Sequence, residues 1–272
     1  MESNYLELLK KMLIDYDQIG KEEYHPLTQV DRQPRNALLF LLDKWLRSRN
    51  YTICKTKKVL ADQRLNGLDW PARAKTMIGY HRLTHLEQCV HRIRVDKIAG
   101  DVLEAGVWRG GASMYLKALL KVNGLTHKTL WMADSFQGLP RPTKDYPHDH
   151  KVRLHRHPIL KATREEVEAN FKAYGLWDDG IRIIEGWFED TLPKNIVEKL
   201  SLLRLDADLY ESTHLGLQHL YPKLQAGGFV IIDDYHAFQF CKQAVDDYRT
   251  THAIQEPLIK IDTEAVFWRK RA

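Results

Sequence analysis

Two short segments place carboxylates at the ends of apolar runs. Leu-Arg-Leu-Asp206-Ala-Asp208 closes one run, and Phe-Val-Ile-Ile-Asp233-Asp234 closes the other. A carboxylate buried at a strand end is costly unless it is paired or meets a cation. If the two runs are neighbouring strands, Asp206, Asp233 and Asp234 converge at the carboxyl edge of one sheet. Three hard oxygen donors in one place suit Mg²⁺ or Ca²⁺. An Asp-Asp pair alone would only open a turn. The Asp-x-Asp upstream, together with a glycine turn, is what points to a metal.

That turn reads Glu104-Ala-Gly106-Val107-Trp-Arg-Gly110-Gly111 and follows a strand-like run. A strand running into a glycine turn and then a helix is where open α/β sheets bind ligands. The spacing is not Gly-x-Gly-x-x-Gly, and Glu104 would repel a pyrophosphate. An acid there suits a cationic amino group, and the helix start beyond can receive a carboxylate. A ligand with both charges is an amino acid, such as the methionine part of S-adenosylmethionine. The next strand ends in Asp134-Ser135, where an acid can clamp ribose hydroxyls; the plain alternative is an Asp N-cap. Gly186-Trp187 after a later strand offers an adenine edge, or simply a structural Trp.

The elements needed to hold these residues can be read along the chain. Residues 4–15 predict a short amphipathic helix. Residues 16–36 are polar and turn-rich, with Pro26 and Pro34. Residues 37–47 predict an apolar helix whose faces suit packing or association. Asp69-Trp-Pro71 reads as a helix start, and 81–97 as a further helix. From Gly100 onward strands and helices alternate: strands at 100–106, 129–134, 181–186, 202–206, 228–232 and 265–268, helices at 111–122, 163–174, 192–200, 212–224 and 238–251. Thr163-Arg-Glu-Glu166 is a capping-box pattern. Alternation predicts a doubly wound, mostly parallel sheet with helices on both faces. The expected division is an N-terminal helical extension over 1–68 and a catalytic domain over 69–272.

The chain has 272 residues, 44% hydrophobic and 28% charged, with net charge +5, as expected for a globular protein. Mixed charges neither demand nor exclude nucleic acid. Three scattered cysteines suit a reducing compartment. No signal-peptide pattern and no membrane-length apolar run is seen, so a cytoplasmic location is expected.

Several segments together resemble one family: Asp69-Trp-Pro-Ala-Arg-Ala-Lys-Thr76-Met77-Ile78-Gly79, the Glu104–Gly111 turn, Ala133-Asp-Ser-Phe-Gln-Gly-Leu-Pro140, Leu205-Asp-Ala-Asp-Leu-Tyr-Glu-Ser-Thr213 and Gly227-Gly-Phe-Val-Ile-Ile-Asp-Asp-Tyr235. They resemble the macrocin O-methyltransferases, which include sugar O-methyltransferases of macrolide and aminocoumarin pathways. The resemblance covers about 60–270. It implies a class I (Rossmann-like) methyltransferase fold, S-adenosylmethionine and Mg²⁺. It also implies Asp206, Asp233 and Asp234 as metal ligands, Thr76, Met77, Ile78 and Glu104 near the methionine part, Asp134 and Ser135 at the ribose, and the 185–187 turn near adenine.

The expected acceptor is then a vicinal diol of a small-molecule glycoside, with Asp206 as base and Asp208 in reserve. The loop 140–158, with His148, His150, His155 and His157, is expected to act as a lid, the alternative being that one of these histidines serves the substrate or acts as the base. Tyr210 and Tyr235 would line the acceptor pocket or pack with satisfied hydroxyls. The nearest rival acceptor is a phenol or catechol, although no lysine follows Asp206 closely. A nucleic-acid methyltransferase lacks a base-flipping motif here. An iron site would need two histidines, and only His236 adjoins the acids. A homo-oligomer is expected from the apolar faces of 4–15 and 37–47.

Overall fold

The computed structural model describes residues 2–30 and 36–271; Pro34 lies outside the described residues. The chain opens with helix α1 (Glu2–Leu13), strand β1 (Glu22–Pro26), helix α2 (Ala37–Arg47), strand β2 (Cys54–Lys58) and helix α3 (Ala61–Asn66). β1 and β2 form an antiparallel two-stranded sheet, which the reading of 1–68 as a helical extension does not anticipate. Helix α4 (Gly79–Val95) leads into β3 (Asp101–Ala105), α5 (Gly111–Val122), β4 (Leu130–Asp134), α6 (Arg164–Ala173), β5 (Ile181–Glu185), α7 (Phe188–Thr191), β6 (Leu200–Leu205), α8 (Tyr210–Leu220), β7 (Leu224–Ile232), α9 (Gln239–Thr251), β8 (Ile259–Lys260) and β9 (Val266–Arg269).

Strands β3 to β9 form one seven-stranded sheet in the order β5-β4-β3-β6-β7-β9-β8. Pairs among β3 to β7 are parallel, and β9 runs antiparallel to β7. This is the expected doubly wound α/β fold. The chain leaves β3 toward β4 on one side and later returns to β6 on the other. That reversal opens a crevice at the carboxyl ends of β3 and β6.

Strand side chains alternate between the two faces of a sheet. Val102, Met132, Leu202 and Phe229 face a core shared with α1, α4, α5 and α6. Leu103, Ala133, Leu203 and Val230 face the core under α8 and α9. Leu6, Leu9 and Leu13 of α1 belong to the first core, so the N-terminal helix is built into the sheet's cover. Fully buried Arg64 then ties together Glu23 of β1, Asp69 and the Ile14 carbonyl.

Two helix expectations are corrected. Residues 69–78 are irregular and the helix starts at Gly79. The carboxylate of Asp69 is taken by Arg64, and the Pro71, Ala72 and Ala74 carbonyls accept from Arg109 Nη1 instead of from a helical ladder. The helix expected over 192–200 lies earlier, at α7, and runs into a 3₁₀ turn that Asn195 ends in the left-handed region. By contrast, the N-cap half of the Thr163 box forms, its hydroxyl accepting from Glu166 N, while the Glu166 carboxylate pairs with Arg109. On α2, Leu38, Leu41 and Trp45 are exposed.

Candidate active site

A cleft of about 330 Å³ sits at the crevice. Strand ends and their turns supply Gly106, Trp108, Asp134, Ser135, Gly186 and Trp187 on one side, joined by Met77 from the segment before α4, and Asp206, Ala207 and Asp208 on the other, joined by Glu211 and Ser212 of α8. The loop after β4 adds Leu139, Pro140, Arg141 and Thr143.

The glycine turn is shaped by close approach. Gly106 has φ 88°, and a Cβ there would collide with the Asp206 carbonyl. Only glycine allows the ends of β3 and β6 to come this near. Gly111 plays a similar part where a Cβ would meet the Lys75 carbonyl and Thr76. The Gly111 amide donates to Lys75 O at 2.9 Å. The segment carrying Thr76, Met77 and Ile78 is thereby pinned to the start of α5. Met77 faces the cleft, whereas Thr76 and Ile78 are buried and do not line it, Ile78 packing in the core.

Asp134 joins the turn to the second strand. Its Oδ2 accepts from Val107 N at 2.7 Å and Trp108 N at 3.3 Å, and its Oδ1 accepts from Phe136 N at 2.7 Å. Burial raises its pKa while these amides pull it back. Ser135 Oγ accepts from Gln137 N and donates to Gly138 O, which shapes the rim. Val107, Gly110 and Gly111 contribute backbone and packing behind the wall; none is among the cleft-lining residues.

Under the cleft lies an ionic chain. Glu104, Arg204 and Asp233 continue the face of Val102, Leu202 and Ile231, by the two-residue period. Glu104 is 1% exposed. It accepts from Arg204 Nη1 at 2.5 Å and from Ser113 Oγ, so its carboxylate points to Arg204 and away from the open cleft. Arg204 Nη2 also reaches Asp206 Oδ2 at 3.0 Å and Asp233 Oδ1 at 2.5 Å. Arg82, from α4, holds Asp233 Oδ2 at 2.5 Å, Asp262 at 2.6 Å and Glu264 at 2.6 Å. Neither arginine is signalled by a motif.

The acids converge as the sequence predicts. Ligand atoms of Asp206, Asp233 and Asp234 lie within 4.8 Å of one another. Desolvation and neighbouring carboxylates push Asp206 up to about 6, and hold Asp208 and Asp234 well above the carboxylate range. Arg204 and Arg82 keep Asp233 below it. Crowded, buried carboxylates with raised pKa are the electrostatic mark of a place that favours a cation. His236, the iron candidate, is exposed, and the group contains no histidine among the described residues.

Other candidates fall outside the cleft. Tyr210 and Tyr235 donate to Asp247 and Asp246 of α9, which makes them packing residues with satisfied hydroxyls. His148 stacks on Tyr210 at 4.2 Å and His157 lies edge-on to Trp70. None of the four loop histidines is among the lining residues. Trp108, Phe188 and Glu211, which do line it, lie inside or beside the motifs but are not singled out by them. Burial with Glu189 and Asp149 nearby raises Glu211 to about 7.

Comparison with known proteins gives a consistent set of relatives. The profile described as Macrocin-O-methyltransferase (TylF) matches residues 2–270. A Streptomyces olivaceus protein, 8-demethyl-8-(2,3-dimethoxy-alpha-L-rhamnosyl)-tetracenomycin-C 4'-O-methyltransferase, is 48% identical over 214 residues, 78% of this chain and 82% of the relative. Demethyldecarbamoylnovobiocin O-methyltransferase of Streptomyces niveus is 46% identical over 209 residues, 76% of this chain and 80% of the relative. Among solved structures, the O-methyltransferase NovP superposes with TM-score 0.83 at 38% identity, with both chains covered in full.

Proposed function

The chain belongs to the macrocin O-methyltransferase family, and from that premise we propose that it methylates a sugar hydroxyl of a glycosylated natural product, with Mg²⁺ in its carboxylate cluster. As an O-methyltransferase it uses S-adenosylmethionine. The observation that carries the proposal is the meeting of Asp206, which lines the cleft, with the buried Asp233 and Asp234 behind it, beside a half with cofactor-type geometry. The relative named for a rhamnosyl 4'-O position supports a sugar acceptor. So does the acceptor half of the cleft, where Asp208, Glu211, Ser212, Thr143 and Arg141 offer hydrogen bonds suited to a polyol.

The cofactor half fits an adenosyl amino acid. Asp134 keeps lone pairs for ribose hydroxyls, and Gly186 and Trp187 offer an edge for adenine. The donor's sulfonium supplies an electrophilic methyl. Asp206, Asp233 and Asp234 would hold Mg²⁺, whose positive charge would ease deprotonation of an acceptor hydroxyl. Availability and the oxygen donor set favour Mg²⁺.

The chain's own groups divide the remaining work. Arg204 and Arg82 fix both oxygens of Asp233, and Arg204 also orients Asp206. We assign the proton to Asp208 and keep Asp206 as a ligand, reversing the order read from sequence, because Asp206 is ion-paired to Arg204 whereas no cation is bonded to Asp208 among the described residues. Asp208 also lines the acceptor half of the cleft, where a carboxylate free of an ion pair can take a proton. Trp108, Pro140 and Leu139 exclude water from the reacting centre. The exposed apolar residues of α1 (Tyr5, Leu8, Met12) and of α2 (Leu38, Leu41, Trp45) offer surfaces for a homo-oligomer.

The test is incubation with methyl-labelled S-adenosylmethionine and matched glycoside and aglycone pairs, with the product located by NMR. The proposal expects the methyl on a sugar oxygen. A methyl on a phenolic oxygen of the aglycone would overturn it.

A further inference from the structure

Helix α8 follows the Asp206-Ala-Asp208 segment directly, yet its own N-cap residue is Leu209, which has no capping group. Ser, Thr, Asp or Asn normally fills that position, because the first helical amides lack partners. Here the partner comes from far away in the chain. Asp149 Oδ1 accepts from Tyr210 N at 2.9 Å and Oδ2 accepts from Glu211 N at 3.0 Å, across 61 and 62 residues. Asp149 is 0% exposed, although its neighbours His148 and His150 are exposed. The long loop 140–158 is therefore anchored at one fully buried carboxylate.

The rest of the docking surrounds that point. His148 stacks on Tyr210 at 4.2 Å, and Tyr146 sits 6.1 Å from the same ring. Thr143 Oγ1 donates to Glu211 Oε2 at 3.4 Å. On the helix side, the backbone turns into α8 through Asp208, held at φ 55° with its amide donating to Asp234 Oδ2 at 3.1 Å. The loop side of the latch carries Arg141 and Thr143 into the cleft, and the helix side carries Asp208 and Glu211.

We propose that Asp149 is a positioning residue that latches the 140–158 loop onto the start of α8, so that the acceptor-facing side chains of loop and helix are set as one unit. The part of this that concerns turnover rests on the assignment of Asp208 above; the latch itself does not. A carboxylate accepting two amides at a helix start is a charge-assisted interaction. Asparagine can accept at one oxygen only and turns an NH₂ toward the second amide. The cofactor half of the cleft draws chiefly on the ends of β3 to β5 and is not hinged at this point.

The experiment compares wild type with Asp149→Asn and Asp149→Ala in three measurements. They are tryptic cleavage at the exposed Lys144, Lys151 and Arg153, acceptor KM and kcat, and S-adenosylmethionine affinity by calorimetry. Loss of a charge-assisted hydrogen bond predicts cleavage in the loop about tenfold faster or more, with acceptor KM raised by a similar factor. Cofactor affinity stays within about twofold, which also shows that the variants fold. Asp149→Asn is the milder of the two. Wild-type cleavage rates in both variants would overturn the latch whatever the acceptor proves to be. Faster cleavage with unchanged KM would overturn the positioning role, and parallel loss of cofactor affinity would show that Asp149 merely supports the fold.

Discussion

Arg204 Nη2 stands 2.5 Å from Asp233 Oδ1 while Nη1 of the same guanidinium stands 2.5 Å from Glu104. One buried cation thus links the acid before the glycine turn to the acid of the candidate metal cluster. Glu104 and Arg204 are register partners on β3 and β6, and Arg204 is opposite Ile231 on β7. Sheet register sets Glu104 beside Arg204, while Asp233 follows two residues beyond Ile231, just past the end of β7.

Removing that cation should leave Glu104 and Asp233 buried with too little compensation. Arg204→Met is expected to cost about 3–5 kcal/mol of stability, as for other buried ion pairs broken on one side. Denaturant unfolding measures it. Adding Glu104→Gln should recover part of the loss, because one uncompensated charge is then gone; additive losses would show that the two residues do not act together.

Gly106→Ala tests the approach of β3 to β6. The residue sits at φ 88° and its new methyl would strike the Asp206 carbonyl. A left-handed non-glycine costs about 1–3 kcal/mol by itself, and the clash adds to that. Calorimetry should also find weaker S-adenosylmethionine binding, since the turn must move away from Asp206. A variant as stable and as tight-binding as wild type would remove this reason for the glycine.

His85 gives a pH dependence away from the cleft. It is buried against Phe267 and Cys89, and burial lowers it from 6.5 to about 4. The unfolded chain therefore binds the proton more readily than the folded one. The stability from neutral His85 is present above pH 6.5 and is lost as pH falls toward about 4. At full extent the shift corresponds to roughly 3 kcal/mol. Unfolding free energies from pH 7 to 4 should fall less steeply in His85→Phe than in wild type; identical slopes would contradict the assignment.

What the sequence makes legible follows from physical pattern. β3, β4, β6 and β7 are apolar runs ending in Glu, Asp or Gly, and both the sheet and the meeting of Asp206 with Asp233 and Asp234 follow from them. β2 escapes because its Lys-rich residues are exposed on both faces and show no alternation. The Asp69-Trp-Pro71 signal misleads because Arg64 and Arg109 take the groups a helix start would use. Arg82 looks like an ordinary helix-surface charge, since Asp233 is 151 residues away in sequence. Asp149 likewise gains meaning only when the loop folds back on α8.

The most direct test of the account is Asp208→Asn, studied by single-turnover methyl transfer alongside binding of S-adenosylmethionine and of Mn²⁺ as a spectroscopic stand-in for Mg²⁺. A lost general base predicts a fall of about 10²–10⁴ in the transfer step, with both binding affinities retained. Asp234→Ala should instead lose Mn²⁺. Near-normal transfer in Asp208→Asn, or loss of the metal from that variant, would contradict the division of roles between Asp208 and the cluster of Asp206, Asp233 and Asp234.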